Sequence, residues 1–125
     1  AEAVKWYLQA AEQGHVVAQV ITGGRYANGR GVERDDVMAV EWYRKAAEQG
    51  NIRAQYSLGV MYEAGQGVSQ DSVQAYLWYD LAASLPSVEQ ELSIKNRDIV
   101  ASQMTPEDLA EAQRLIREWR GGNKR

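Results

Sequence analysis

The chain has 125 residues and a formal net charge of −3, a length suited to one domain and a balance that argues against a nucleic-acid binder, whose footprint is usually basic. With 45% hydrophobic and 25% charged residues the composition is that of a soluble globular protein. There is no cysteine, which excludes disulfides, thiol catalysis and cysteine-ligated zinc.

No uncharged apolar stretch approaches the length of a membrane span, and no signal-peptide hydrophobic region opens the chain. The first residue is Ala1 and not methionine, so any native export signal is expected to lie outside this chain. The 11 glycines against 2 prolines would ordinarily indicate flexible loops. Periodicity gives them another meaning.

The dipeptide Trp-Tyr stands at Trp6-Tyr7, Trp42-Tyr43 and Trp78-Tyr79, a constant spacing of 36 residues. The same offset relates Ala3, Ala39 and Ala75, and Ala10-Ala11, Ala46-Ala47 and Ala82-Ala83. It also relates Ala18-Gln19 to Ala54-Gln55, Tyr26 to Tyr62, Gly31-Val32 to Gly67-Val68, and Asp35 to Asp71. Four glycine pairs follow it: 14 and 50, 23 and 59, 29 and 65, 31 and 67. Such agreement at one spacing makes the chain a tandem array, with glycines at helix ends, close packings and turns.

In chain order, a leading helix covers 1–13, and helix pairs follow at 15–49 and 51–85. As domain organisation this is one unit over 1–125. Residues 1–14 form a partial repeat (second helix only), 15–50 and 51–86 are repeats, and 87–125 holds a degenerate repeat with capping helices. The first helix of a unit is clearest from Arg53 to Ala64, where Ala54, Leu58, Met61 and Tyr62 recur at helical spacing. It stops at Gly65-Gln66-Gly67, and Val68 is expected to tuck back into the core. Asp71 then stands as an N-cap with Gln74 as its capping-box partner, opening a helix to Ser84. On that helix Ala75, Ala82 and Ala83 permit close approach, while Trp78 and Tyr79 supply most of the buried area. A single pair cannot cover its own apolar face, so the pairs are expected to stack. The leading helix lacks its partner and should leave one apolar face to be covered.

After Leu85 the pattern degrades: Pro86 replaces the repeat glycine and Gln90 the repeat alanine. Ser87 with Gln90 reads as a fresh capping box for a helix to Gln103. Val88, Leu92 and Ile99 lie on one side of that helix and Ile94 and Ala101 on another, suggesting a helix sandwiched between neighbours. Thr105-Pro106-Glu107-Asp108 starts a last helix with the stripe Leu109, Ala112, Ile116 and Trp119. Gly121-Gly122 should end it, with Asn123 to Arg125 frayed.

Taken together, Ala54, Leu58, Gly59 and Tyr62, then Gly65 to Val68, then Asp71, Ala75 and Trp78-Tyr79 resemble a Sel-1-like repeat, a family related to tetratricopeptide repeats. The run Lys45-Ala46-Ala47-Glu48-Gln49-Gly50 strengthens the resemblance, which covers residues 1–85. The tail, from Arg97-Asp98 through Met104 to Glu107, Ala112-Gln113 and Trp119, is similar to the closing segment of bacterial members. The resemblance implies an all-α, right-handed α-α superhelix of antiparallel helix pairs closed by a C-terminal capping pair. It also implies a non-enzymatic scaffold or adaptor for a protein or peptide, of bacterial type, with cytoplasm and periplasm both open as its compartment. Without cysteine the chain falls outside the branch with a disulfide in each repeat. It departs from the pattern at Thr22, which fills the slot of Leu58, and at Gly24 and Arg25, in place of Val60 and Met61. The first pair is therefore expected to pack more loosely or bend around a partner.

Catalytic constellations are sparse. His15, the only histidine, sits where Asn51 stands in the next unit, which indicates capping or solvent exposure. Gly29-Arg30-Gly31 and Gly65-Gln66-Gly67 resemble phosphate loops but recur as repeat turns, and Asp35-Asp36 and Glu107-Asp108 fit helix starts. Arg114, Arg117 and Arg120 are interrupted by Glu111 and Glu118, so a solvated helix face is the better reading. The tryptophans recur with the repeat and are expected in the core. No cofactor, metal, nucleic acid or membrane insertion is expected.

By the tetratricopeptide resemblance, the first helix of each pair lines a concave face. Its candidate partner-binding positions are Val17, Val20, Ile21 and Gly24, then Arg53, Tyr56, Ser57, Val60 and Glu63, with Leu92 and Asn96 further on. This mixed surface suits a helix or extended peptide better than a carboxylate clamp. The competing reading puts Val20 and Ile21 in the core and leaves the groove solvated. Two alternatives stand beside the scaffold: a weak hydrolase using carboxylates in the concavity, and a homodimer formed through the unpartnered first helix.

Overall fold

The computed structural model describes the backbone of residues 2–122 and the side chains of residues 5–122; the expected fraying of Asn123 to Arg125 lies outside the described residues. Among these residues the structure has seven helices and no strand: α1 Glu2–Glu12, α2 Val16–Asn28, α3 Asp36–Glu48, α4 Ile52–Ala64, α5 Ser72–Ala83, α6 Gln90–Ser102 and α7 Pro106–Gly122. Consecutive helices pack as far as α6, giving a helical solenoid, and α7 then returns to α5.

Local chemistry sets the helix ends. The Asp35 carboxylate accepts from the backbone N–H of Met38 at 3.1 Å, and Asp71 accepts from that of Gln74 at 3.1 Å. Asn51 does the same for Ala54 at 2.9 Å, whereas His15, exposed at the matching position, makes no side-chain cap. Gly29 and Gly65 close α2 and α4 in left-handed conformations (φ 66° and 72°), which a side chain would disfavour. Each loop is then pinned across the pair, Asp35 N–H to the Tyr26 carbonyl at 2.9 Å and Asp71 N–H to that of Tyr62 at 3.0 Å.

The two helices of a pair meet where a tyrosine ring lies on a glycine. A Cβ added to Gly59 would come within 2.6 Å of the Tyr79 ring, and one added to Gly23 within 3.0 Å of Tyr43. Around this contact Ala39, Ala46, Ala47, Ala54, Ala75 and Ala82 are fully buried, and Leu58 fills the centre of the second pair. Burying such a leucine contributes roughly 1.5–3 kcal/mol. Thr22, in the corresponding slot, is also fully buried and donates its hydroxyl to the Ala18 carbonyl at 2.7 Å, so its polarity is satisfied within the helix. Arg25, replacing the buried Met61, places its guanidinium over the Tyr7 ring at 5.8 Å. Val68 packs against the core as expected.

A glutamine recurs between pairs. Gln19 donates its side-chain amide to the Ala11 carbonyl at 3.2 Å, Gln55 to Ala47 at 3.3 Å, and Gln90 to Ala83 at 3.2 Å. Each bond ties a first helix to the end of the helix before it. Gln90 therefore does not replace the repeat alanine; it fills the glutamine slot one residue early. The Ser87–Gln90 capping box does not form: α6 starts at Gln90, and the buried Ser87 hydroxyl has no partner among the described residues. The Gln90 side chain is committed backwards to Ala83, which removes it from capping.

Two further expectations change. Trp42 and Trp78 are core residues at 5% and 3% exposure, but Trp6 is 74% exposed. Trp42 is buried because Leu8 and Ala11 of the preceding α1 close over it, and no helix precedes α1 among the described residues to do this for Trp6. The helix α6 is not sandwiched: it buries Ser93 and Val100 on α5 and leaves Leu92, Ile94 and Ile99 exposed. Gly121 and Gly122 are the last residues of α7 among those described.

Both α6 and α7 pack on α5 and hardly touch each other. The Asp80 carboxylate on α5 joins them, accepting from Arg97 of α6 at 3.0 Å and Arg120 of α7 at 3.2 Å. Beside it Trp119 meets Trp78 edge-on, with ring centroids 5.3 Å apart. Asp80→Ala is expected to lower stability by about 1–2 kcal/mol, given the partial exposure of both arms. Urea denaturation measures the loss, and hydrogen exchange should show it concentrated in α6 and α7.

Candidate protein-interaction groove

An open groove of about 400 Å³ runs between the end of α2, the start of α3 and the middle of α4. Tyr56, Ser57, Val60 and Met61 of α4 form one wall, Tyr43 of α3 rises from beneath, and Ala27 and Asn28 of α2 close the far side. At one end Arg34 and Asp36 pair with each other at 3.0 Å, and Gln66 completes the rim. An aromatic and aliphatic floor under a few polar groups is the usual make-up of a recognition site.

Repeat geometry produces this arrangement. Gly23 lets the Tyr43 ring cross to the groove side of α2, so its hydroxyl comes up near Ser57 and Arg53. Burial raises the Tyr43 pKa above the ordinary tyrosine value, and Ser57 and Arg53 oppose that shift. One repeat on, Tyr79 is fully buried along its ring and donates its hydroxyl to the Glu63 carboxylate at 2.6 Å, with the Tyr56 ring centroid 5.9 Å away. Burial and then the Glu63 carboxylate push Tyr79 far above the usual tyrosine range.

Of the positions expected from sequence, the groove brings together Tyr56, Ser57 and Val60. Arg53 is exposed nearby, and Glu63 is occupied by Tyr79. Val17 is exposed on α2, whereas Val20 packs against the core and Ile21 and Gly24 are half-buried; none of these four lines the groove. Leu92 is exposed on α6, and Asn96 approaches the Tyr79 hydroxyl. Sequence reasoning did not single out Ala27, Asn28, Tyr43, Met61, Gln66 and the Arg34–Asp36 pair as lining. For Tyr43 a signal existed: Gly23 precedes it by 20 residues, as Gly59 precedes Tyr79.

Asp36 is the groove's only lining carboxylate, and among the described residues no three His, Asp or Glu side chains cluster to hold a metal ion. The terminal arginines do not form a basic patch: Arg114 pairs with Glu111 and Glu118, and Arg120 with Asp80.

The Sel1 repeat model matches residues 1–15, 16–51 and 52–87. The chain belongs to the Sel1 repeat family. Among solved structures it is similar to a protective antigen of uropathogenic Escherichia coli strains displaying an SLR fold, with 38% identity and a TM-score of 0.87 over 94% of this chain. It is also similar to a Sel1 repeat protein from Oxalobacter formigenes, with 46% identity and a TM-score of 0.64 over 65% of this chain. The chain spans 25% of the first structure's length and 62% of the second's. No curated protein matches it closely enough to count as a relative. Sel1 repeats are generally protein-interaction scaffolds, and among the described residues no helix is long and apolar enough to cross a membrane.

The Tyr79–Glu63 bond has a pH signature. An unfolded tyrosine ionises near pH 10, while the folded Tyr79 holds its proton more tightly. Stability is therefore fully present below about pH 10 and falls as the pH rises beyond it, because the unfolded chain releases that proton first. Tyr79→Phe should cost about 1 kcal/mol near neutrality through the lost bond and should flatten the alkaline decline. Urea denaturation across the alkaline range measures both.

Proposed function

We propose that this Sel1 repeat protein is a non-catalytic scaffold that binds a peptide or protein segment along the face carrying Tyr56, Ser57 and Val60. The observation that carries this reading is the open groove of about 400 Å³, with Tyr43, Tyr56, Val60 and Met61 as an adhesive floor and polar groups at its rim. Aromatic anchors in partly desolvated sites supply most of the energy at such interfaces. Binding is favoured over hydrolysis because the groove's one carboxylate, Asp36, is already paired with Arg34 and no second acid lines the wall beside it. The exposed Arg53 and Val17 would extend the contact beyond the groove.

In an immobilised peptide array, Tyr56→Ala and Val60→Glu should each lower retention of captured sequences by tenfold or more, a loss of at least about 1.4 kcal/mol. Retention of every captured peptide by both variants would overturn the assignment.

A second reading, self-association through α1, is favoured by one observation: Trp6 is 74% exposed although its repeat equivalents are core residues. An exposed aromatic side chain on α1 is a natural seat for a second copy. Sedimentation should then show a concentration-dependent dimer that Trp6→Glu abolishes. A wild-type monomer at all concentrations would remove this reading.

A further inference from the structure

Tyr43 and Tyr79 are repeat equivalents, yet only one of them meets a carboxylate. Tyr79 donates its hydroxyl to Glu63, a side chain of α4, at 2.6 Å. One repeat earlier the slot of Glu63 holds Ala27 of α2, and the slot of Val60 holds Gly24. Ala27 lines the Tyr56 groove together with Tyr43. Gly24 keeps the space next to the Tyr43 hydroxyl free of a side chain, since a Cβ there would stand 3.5 Å from it. The side chain that closes the second pair is thus cut back to a methyl group in the first, and the groove opens in its place.

The charge at this point is positive. Ser57 and the exposed Arg53 lie beside the Tyr43 hydroxyl, and among the described residues no carboxylate accepts from it. Arg53 makes no ion pair among the described residues, whereas the lining Arg34 and Asp36 neutralise each other at 3.0 Å. Two hydroxyls and a guanidinium therefore stand together where the next repeat supplies an acid from its own helix. Bonds from such donors to an ionised carboxylate are roughly twice as strong as those to a neutral acceptor.

We propose that the groove receives a glutamate side chain from an extended segment of a protein partner, its carboxylate taking beside Tyr43 the place that Glu63 takes beside Tyr79. Two observations select that occupant. The fold already makes this contact once, so a glutamate carboxylate fits the hydroxyl of a tyrosine seated on glycine. Arg53 supplies the opposite charge, which a neutral or cationic side chain would leave unused. The neighbouring Tyr56, Val60 and Met61 suit aliphatic residues on either side of the glutamate. The proposal rests on the Tyr56 groove being the partner-binding site and adds the chemistry of what it binds.

The test is an NMR titration of the protein with the blocked tripeptide acetyl-Leu-Glu-Leu-amide, with acetyl-Leu-Gln-Leu-amide as the neutral control of the same shape. The glutamate peptide should shift the backbone amide signals of Ser57 and Val60, and the glutamine peptide should bind about tenfold more weakly. Ala27→Glu should supply the acid from within, as Glu63 does, and weaken glutamate-peptide binding by about tenfold or more. Tyr43→Phe keeps the ring on Gly23 and removes only the donor, so it should weaken the glutamate peptide about fivefold. Arg53→Gln, at an exposed position, should remove most of the preference for glutamate over glutamine. Equal binding of the two peptides, with shifts at Ser57 and Val60, would overturn the acidic preference and leave the groove reading standing. No shift at these residues with either peptide would overturn both. Undiminished glutamate-peptide binding by Ala27→Glu and Tyr43→Phe would also overturn the proposal.

Discussion

The solenoid depends on one steric constraint, the seating of a tyrosine ring on a glycine of the partner helix. At Gly59 and Tyr79 the approach leaves no room for a Cβ, and Gly23 and Tyr43 repeat it with slightly more space. This contact sets the distance within each pair, and the surrounding alanines permit it because they add so little bulk. Glycine inside a helix ordinarily weakens it by about 1 kcal/mol. Here the aromatic packing that glycine admits offsets that weakness.

The same contact shapes the surface. A ring that crosses over its partner helix delivers its hydroxyl to the far side, so a residue that reads as core also reaches a binding face. Tyr43 arrives beside Ser57 in an open groove, while Tyr79 is bound to Glu63. Two copies of one motif therefore present different surfaces, one accessible and one closed. Variation at a few positions is how a repeat array acquires specificity without disturbing its frame. The glutamine series shows the same principle: three like bonds to the preceding helix, with an added bond from Gln49 at Gln19.

Much of the architecture was legible because it is written in a period. The 36-residue recurrence of Trp-Tyr, the capping aspartates and the turn glycines each correspond to a local interaction that forms within a few residues. Asp35, Asp71 and Gly65 act as read. Legibility failed where the period slips. With the spacing one residue short, Gln90 aligns with the wrong slot of the period and reads as a capping partner. The apolar residues of α6 suggested two neighbours, yet α7 passes it to lie on α5, where Asp80 and Trp78 hold it. The groove was legible in part: Tyr56, Ser57 and Val60 line it, while Tyr43 and Met61 are lining residues that the concave-face pattern does not point to.

By itself, then, the sequence determined the helices, the aspartate caps of α3 and α5, the recurrence of glycine and tyrosine and membership of the repeat family. These follow from periodicity and from short-range hydrogen bonds, which a linear reading can count. Tertiary structure alone decided which repeat positions stay covered. Trp6 and Trp42 are the same residue in the same local context, and only the neighbouring helix over Trp42 makes it core. Burial and hydrogen-bond satisfaction are properties of what packs against a residue, and no residue carries that information alone.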